Sequence, residues 1–231
     1  TRMRPAALFF RTFLLAVFTL SLLAGAIIGD YYFRHEVTRK AKRFLAEKGV
    51  DLSPASAIEA ARKGELILLE QLELAGISLG KGDDRGLTPL LAAVKAGNHP
   101  SIEFLMNREA VKESINRITE PERETPLAVA LRERDFPLVE RLLEKGASLE
   151  VDVEPGVPFL MAAVKSGDGE LIDYLIAKGV DVDYRSAQPT TALALAAEKG
   201  DVALMERLIK AGADPNTRGT TGKSLLIEAV K

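Results

Sequence analysis

The segment that most resembles a ligand-binding motif is GTTGKS at residues 219–224, which looks like part of a phosphate-binding loop. Such a loop follows a strand and reads Gly-x-x-x-x-Gly-Lys-Ser, so that backbone amides and the lysine surround the phosphates. Here Thr217 stands at the first glycine position, and the preceding residues predict a helix that ends at Gly212. The sequence therefore predicts a turn at this segment and no bound nucleotide.

The other residue types that could catalyse or ligate metals are sparse. The chain has no Cys, which excludes disulfides, thiolate catalysis and Cys-ligated zinc. Its two His, His35 and His99, are far apart in sequence, and neither has a second His at the spacing of a zinc protease. The acidic pairs at 83–84 and 181–183 are typical of turns, where Asp bonds nearby backbone amides. We predict no catalytic site, metal site or cofactor, and no enzymatic activity.

The charges are divided unevenly along the chain. Residues 1–48 contain nine Lys or Arg and three Asp or Glu, whereas the remaining residues contain 22 and 30. Nucleic-acid binding requires a basic surface because phosphates must be neutralised. The acidic remainder therefore argues against a nucleic-acid partner.

One segment, GLTPLLAAVKAG at 86–97, recurs along the chain and organises it. Aligned copies place one register position at Ala57, Leu90, Leu127, Leu160, Leu193 and Leu226, with intervals of 33, 37, 33, 33 and 33 residues. A period of this size is typical of a solenoid, in which each unit buries its apolar face against its neighbours. The longer interval predicts an insertion between Met106 and Thr125, either on a binding face or without a function.

Each unit predicts a helical hairpin. A Thr-Pro pair such as Thr88-Pro89 provides a helix cap and a first-turn residue. A short Ala-rich helix follows, predicted at 90–96, 127–131, 160–165 and 193–199. Ala residues at one position allow close helix approach, and Gly residues end these helices. The Ala residues are Ala93, Ala130, Ala163, Ala196 and Ala229. The Gly residues are Gly97, Gly167 and Gly200. A second helix carries paired apolar residues such as Leu142-Leu143.

These segments resemble a known family. GLTPLLAAVKAGN, RETPLAVALRERD, VPFLMAAVKSGD and TALALAAEKGD, each followed by a segment such as VERLLEKGAS or ALMERLIKAGADPN, are similar to ankyrin repeats. The resemblance covers 53–231 and implies an all-α solenoid that binds proteins. Its units lie near 53–85, 86–122, 123–155, 156–188 and 189–221, with a partial unit at 222–231. The usual His after Thr-Pro-Leu is replaced by Leu91, Ala128, Met161, Ala194 and Ile227.

The N-terminal part predicts a membrane anchor. After a basic flank at 1–5, residues 6–29 contain one charge, and 12–29 contain none. Eighteen helical residues rise about 27 Å, close to the thickness of the bilayer core. We predict a single transmembrane helix at 6–29, with a cleaved signal peptide as the alternative. Ser21, Gly25 and Gly29 form a small-residue stripe that could contact another membrane helix.

Residues 30–52 predict a helical stalk. Tyr31, Tyr32 and Phe33 are typical of the membrane interface, and the basic residues after them suit lipid phosphates or solvent. Phe44 and Leu45 could pack against the first repeat. The arginines before the apolar run favour repeats on the outer, periplasmic side of a bacterial inner membrane. The basic stalk favours the cytoplasmic alternative.

Two groups of residues are candidates for protein binding. Cations recur near the end of the first helix, where they could form a row facing a partner or could offset the helix dipole. These cations are Arg62, Lys95, Arg132, Lys165 and Lys231. The resemblance implies that this position belongs to the concave, partner-facing surface. The hairpin tips supply Asp84, Arg85, Leu87, Glu122, Glu124 and Thr190.

The sequence therefore predicts a single-pass, membrane-anchored ankyrin-repeat protein that acts as a scaffold or accessory subunit of a membrane protein complex. The alternative is a membrane-tethered regulator or protective factor whose repeats bind a soluble enzyme.

Overall fold

A computed structural model describes residues 30–112, 114–150, 152–154, 157–185 and 190–217. The predicted transmembrane segment at 6–29, with Ser21, Gly25 and Gly29, lies outside these residues, as do Lys231 and the GTTGKS segment. Among the helices in the described ranges, none combines the length and the apolar character needed to cross a membrane.

The described repeats form helical hairpins in chain order. The first helices are α2 (Pro54–Lys63), α4 (Pro89–Lys95), α7 (Pro126–Arg132), α9 (Phe159–Ser166) and α11 (Ala192–Glu198). The second helices are α3 (Leu66–Leu74), α5 (His99–Met106), α8 (Phe136–Glu144), α10 (Gly169–Ala177) and α12 (Val202–Lys210). The predicted α-solenoid is confirmed. The helices α4, α7, α9 and α11 match their predicted bounds to within about two residues.

Local capping explains where the helices begin. The hydroxyls of Thr88, Thr125 and Thr191 accept hydrogen bonds from backbone amides three residues on, at 3.2, 3.1 and 3.2 Å. The second helices α5, α8, α10 and α12 begin with side-chain caps that the repeat pattern does not predict. These caps are Asn98, Asp135, Asp168 and Asp201. Each helix start in this set thereby has one backbone amide satisfied by a local side chain.

The core lies where the hairpins stack. Ala93, Ala130, Ala163 and Ala196 are at most 1% exposed, so the predicted small-residue position is buried between neighbouring units. The residues that replace the usual His are also buried. These are Leu91, Ala128, Met161 and Ala194. The departure from the family pattern therefore places apolar side chains in the core.

The predicted stalk is helical over residues 30–47, which form α1. Ala41 and Leu45 near its end are buried against the first repeat, which confirms that the stalk packs onto the solenoid. At its other end Tyr31, Tyr32 and Phe33 are 62–70% exposed. One helix therefore connects an exposed aromatic cluster directly to the repeat core.

The insertion at 107–124 is part of the packed structure. It contains α6 (Glu109–Lys112), and Val111 and Ile115 are each 2% exposed. The Asn116 side chain donates to the carbonyl of Gly146 at 3.0 Å and accepts from the amide of Ser148 at 2.8 Å. The insertion is thus hydrogen-bonded to the turn at 146–148, which ends the next hairpin. Two short antiparallel strands, β1 (Asp152–Glu154) and β2 (Val157–Pro158), precede α9 and were not predicted.

Two glycines with positive φ differ in how closely the insertion packs against them. Gly86 has φ 82° and Gly97 has φ 64°. A Cβ on Gly86 would lie 2.6 Å from the carbonyl oxygen of Ile118, whereas a Cβ on Gly97 would meet nothing within 4 Å. An alanine would thus be strained at both positions, but only at position 86 would its Cβ also clash with the backbone of the insertion.

We expect Gly97→Ala to lower the free energy of unfolding by about 1–2 kcal/mol through backbone strain. Gly86→Ala should cost roughly 1–3 kcal/mol more, because the insertion must move to make room. Urea unfolding followed by circular dichroism measures both values. Equal losses would contradict the packed position of the insertion.

Candidate protein-binding surface

The predicted row of cations lies at one position of the first helices. Arg62, Lys95, Arg132 and Lys165 stand in the last turns of α2, α4, α7 and α9, and all are exposed. Cations at a helix C-terminus also offset the helix dipole. The exposed position at the helix ends therefore suits both roles, offsetting the helix dipole and contacting a partner.

Carboxylates of the same chain hold most of these cations. Arg62 makes two hydrogen bonds to Glu59, at 2.9 and 2.7 Å, and Lys63 lies 3.1 Å from the same carboxylate. The hydrogen bonds from Arg62 and Lys63 lower the pKa of Glu59 to about 2. The first member of the row is therefore part of a local ion pair rather than an isolated positive charge.

Glu124 connects the next two members of the row. Lys95 Nζ lies 2.5 Å and Arg132 Nη1 2.8 Å from its two carboxylate oxygens. The Glu124 side chain is 12% exposed, against 43% for Lys95 and 57% for Arg132. Burial alone would raise the pKa of Glu124, but the hydrogen bonds from Lys95 and Arg132 outweigh it and lower that pKa. Glu124 therefore joins two repeats rather than standing exposed at a tip.

The second helices carry a separate set of contacts between neighbouring repeats. Glu73 pairs with Arg108 at 3.1 Å and Glu140 with Lys178 at 2.5 Å; Arg141 also pairs with Glu103, and Arg207 with Asp173. Tyr174 donates to Glu140 at 3.0 Å, and burial raises the pKa of Tyr174 to about 12. Many charges on this face are therefore used between repeats.

The hairpin tips differ in exposure. Asp84, Arg85 and Glu122 are exposed and Leu87 is half-buried. The carboxylate of Asp83 accepts from the amides of Arg85 and Leu87 at 3.0 and 2.9 Å, which fixes the first tip. The tip therefore presents its exposed side chains from a defined backbone.

Thr190 is predicted to present its side chain at a hairpin tip, but in the structure it is buried. The residue is only 4% exposed, and it directly precedes the cap Thr191 at the start of α11. Thr190 and Glu124 are therefore structural contacts in this conformation, whereas Asp84, Arg85 and Glu122 remain accessible.

A groove between α7 and α9 was not predicted from the sequence. It has a volume of about 400 Å³ and is lined by residues that include Leu131, Phe159, Ala162 and Arg134. Arg134 has φ 56° at the position where Gly97, Gly167 and Gly200 end the other first helices. Its guanidinium reaches the next repeat, where it pairs with Asp168 and, at 3.0 Å, with Glu170. Only the departure from Gly at residue 134 could have drawn attention to this site.

The described residues hold no group of three or more His, Asp or Glu side chains placed to bind a metal ion. The His35 ring lies 5.6 Å from that of Tyr31, and His99 begins α5. The two histidines therefore belong to different, separate environments.

Comparisons with known proteins identify relatives of the repeats. The family model described as ankyrin repeats (3 copies) matches residues 57–153 and 160–231. A chain from the solved complex of a predatory endopeptidase from Bdellovibrio bacteriovorus with an immunity protein is similar at 27% identity, with a TM-score of 0.53. That similarity covers 75% of this chain and 90% of the solved chain. No curated protein sequence matches significantly. Since 495 solved chains match, the fold alone does not select a partner.

The contacts of Glu124 predict a pH-dependent contribution to stability. Because its pKa is lowered in the folded state, its stabilisation is present above the ordinary carboxyl pKa of 4.5 and is lost as the pH falls through the folded value. We expect Glu124→Gln to reduce the free energy of unfolding by about 1–2 kcal/mol at pH 7. The difference from the wild type should shrink as the pH is lowered below 4.5.

The control is Glu122→Gln, which changes an exposed carboxylate of the same tip and should alter stability by less than about 0.5 kcal/mol. Urea unfolding at a series of pH values provides the comparison. A loss for Glu124→Gln that persists unchanged in acid would contradict the ionic role of Glu124.

Proposed function

Because this chain belongs to the ankyrin-repeat family, we propose that its repeats bind a soluble enzyme and regulate it or protect against it. Ankyrin repeats typically act as non-enzymatic protein-interaction modules, so protein binding follows from the family. The class of partner rests on one observation, the similarity to a chain solved in the complex of an endopeptidase with an immunity protein. We infer that the enzyme is a hydrolase of the endopeptidase type.

The extent of that similarity supports the inference. It spans 90% of the solved chain, so the likeness is to nearly a whole binding module. At 27% identity most aligned residues differ, and differences at the contact surface would determine the individual enzyme. We therefore propose the class of partner and not a particular protein.

The first-helix face and the tips form the proposed contact surface. Asp84, Arg85 and Glu122 are exposed on the tips, and Lys165 is exposed on α9. Exposed charges beside half-buried apolar groups suit the polar rim of a protein interface.

We also propose that the N-terminal segment tethers the repeats to a membrane. The support is the uncharged run at 12–29 and the exposed Tyr31, Tyr32 and Phe33 that follow it. The basic residues before this run favour repeats on the outer side, which is the periplasm in a bacterium. The aromatic cluster would then hold α1 at the interface.

A second candidate function uses the tether itself. Ser21, Gly25 and Gly29 would pack against another transmembrane helix and make the chain an accessory subunit of a membrane complex. The two candidates differ in what the tether does, since it localises the repeats in the first and forms the interface in the second.

The test begins with affinity purification of the full chain and identification of the captured hydrolase. We expect an equimolar amount of the chain to reduce cleavage of a peptide substrate by that hydrolase at least about ten-fold. Arg85→Glu should weaken the inhibition about ten-fold, because it reverses an exposed charge at the tip. The matched control is Glu206→Arg, an exposed charge reversal on α12. Equal effects of the two variants, or no effect of the chain on hydrolysis, would overturn the proposal.

Deletion of residues 1–29 separates the two candidates. Inhibition of the captured hydrolase should survive this deletion if the repeats bind a soluble enzyme. Loss of partner binding, with the repeats still helical by circular dichroism, would instead support the membrane-complex candidate. Gly25→Leu in the full chain should weaken partner binding only in that second case.

A further inference from the structure

The helix α1 carries a dense and exposed group of positive charges. Residues 34–43 contain five Lys or Arg and one Glu, which leaves an excess of four positive charges. Four of these cations make ion pairs, and their side chains are 75–82% exposed. The cations in ion pairs of the described repeats are only 30–57% exposed. The positive charges of α1 therefore extend further into solvent than those of the solenoid.

One side of α1 packs on the repeats, and the opposite side carries arginines. Ala41 and Leu45 are at most 1% exposed and belong to the core of the solenoid. Successive residues of an α-helix are rotated by about 100°, so Arg39 and Arg43, each two positions from Ala41, point about 160° away from it. Arg39 and Arg43 therefore project from the outward side of α1, which faces away from the repeats.

The carboxylates of α1 do not neutralise this group of cations. The helix has five cations and three carboxylates, and one carboxylate, Glu36, is shared between Arg39 and Lys40 at 2.7 and 3.7 Å. Lys42 has no ion pair among the described residues. Exposed pairs between neighbouring turns of one helix contribute little to stability, so another anion can replace the carboxylate at small cost.

The aromatic cluster at the start of α1 indicates which anion lies near. Tyr31, Tyr32 and Phe33 are 62–70% exposed, and as consecutive helical residues they point to different sides of the helix. A protein partner would cover one side, whereas the polar layer of a bilayer surrounds a helix and favours aromatic rings on all its sides. The uncharged run at 12–29 directly precedes the cluster. We therefore expect lipid phosphates to be the anions nearest to α1.

The length of α1 determines how it must lie to use its arginines. At 1.5 Å per residue, Arg39 and Arg43 lie about 10 and 16 Å along the helix axis from Tyr32. The polar layer on each side of a bilayer is only about 5–8 Å thick. If α1 stood upright, both arginines would lie beyond this layer. If α1 is inclined, its outward side faces the layer while its inward side still holds the repeats.

The charge of the remaining chain favours the inclined arrangement. Residues 49–231 contain 22 Lys or Arg and 30 Asp or Glu, a net charge of −8. An anionic membrane surface therefore attracts α1 and repels the solenoid. These opposite forces place α1 between the membrane and the repeats.

We propose that the outward side of α1, with Arg39 and Arg43 at its centre, binds the headgroups of anionic phospholipids and holds α1 along the membrane surface. Headgroup phosphates replace the carboxylates of Glu36 and Glu47 as partners of these arginines. The repeats then lie on the side of α1 away from the bilayer, where a soluble enzyme can reach the tips. This inference rests on the proposed tether, because the tether brings α1 to the bilayer.

The test uses a fluorescent label on the full chain. Because the chain has no Cys, one introduced cysteine carries the label. Ala46→Cys places it on the outward side of α1, and Ala203→Cys places it at an exposed position of α12 as a control. The chain is combined with vesicles of phosphatidylcholine, alone or with about one third phosphatidylglycerol, that carry a quencher on their headgroups. We expect the anionic vesicles to quench the label at position 46 at least about two-fold more than the neutral vesicles. Quenching at position 203 should not depend on lipid charge.

Charge reversal identifies the residues that contact the lipid. Arg39→Glu combined with Arg43→Glu should reduce quenching at position 46 to the level seen with neutral vesicles. The matched control, Lys145→Glu combined with Lys210→Glu, makes the same change in net charge at exposed positions of the repeats and should leave quenching unchanged. Circular dichroism confirms that the variants are helical. If the reversal unfolds α1, Arg39→Gln combined with Arg43→Gln replaces it and should lower quenching in the same direction.

Flotation of the vesicles separates this inference from the proposed tether. A chain that floats with both vesicle types has a tether that does not depend on lipid charge. A chain that floats only with anionic vesicles contradicts the tether and supports lipid binding by α1. Equal quenching at position 46 in the two compositions, equal effects of the two double variants, or no flotation with either vesicle type would overturn the inference. Protection of the label by the captured hydrolase without vesicles would also overturn it, because the cations would then contact a protein.

Discussion

A helical hairpin of this length cannot bury its own apolar face, and this constraint governs the whole described structure. Each first helix presents a small residue such as Ala93 or Ala130 to its neighbour, and these residues are at most 1% exposed. Stability therefore arises mainly at the junctions between units. At the N-terminal end, where no earlier repeat is described, α1 supplies Ala41 and Leu45 to cover the first hairpin.

The polar contacts follow the same junctions. Glu124 bridges Lys95 and Arg132 on the first-helix side, and Glu140 accepts from Tyr174 and Lys178 on the second-helix side. Each pair alone contributes little because its members are partly exposed to water. Repeated at several junctions, such pairs favour the correct register of neighbouring units. Charges used in this way are less available to a partner, which directs attention to the exposed side chains of the tips.

The sequence predicted those features that depend on local chemistry. The Thr-Pro pairs predicted the helix starts, and the caps of Thr88 and Thr125 are observed. Contacts between residues that lie far apart in the sequence could not be predicted from the sequence alone. Glu124 meets Lys95 across 29 positions, and Thr190 is buried by its place in the fold. The groove between α7 and α9 depends on how two repeats pack, and no pattern in a single sequence reports that packing. The predicted transmembrane helix and its packing stripe lie outside the described residues and stay predictions.

The central claim is that the first-helix face and the tips form the surface that binds a soluble enzyme. Hydrogen–deuterium exchange of the full chain, alone and in complex with the captured hydrolase, tests it most directly. The account predicts slower exchange in the complex at the tips near 84–87 and 118–124 and along α7 and α9, with the second helices unchanged. Protection confined to the second helices, or to α1 alone, would contradict it.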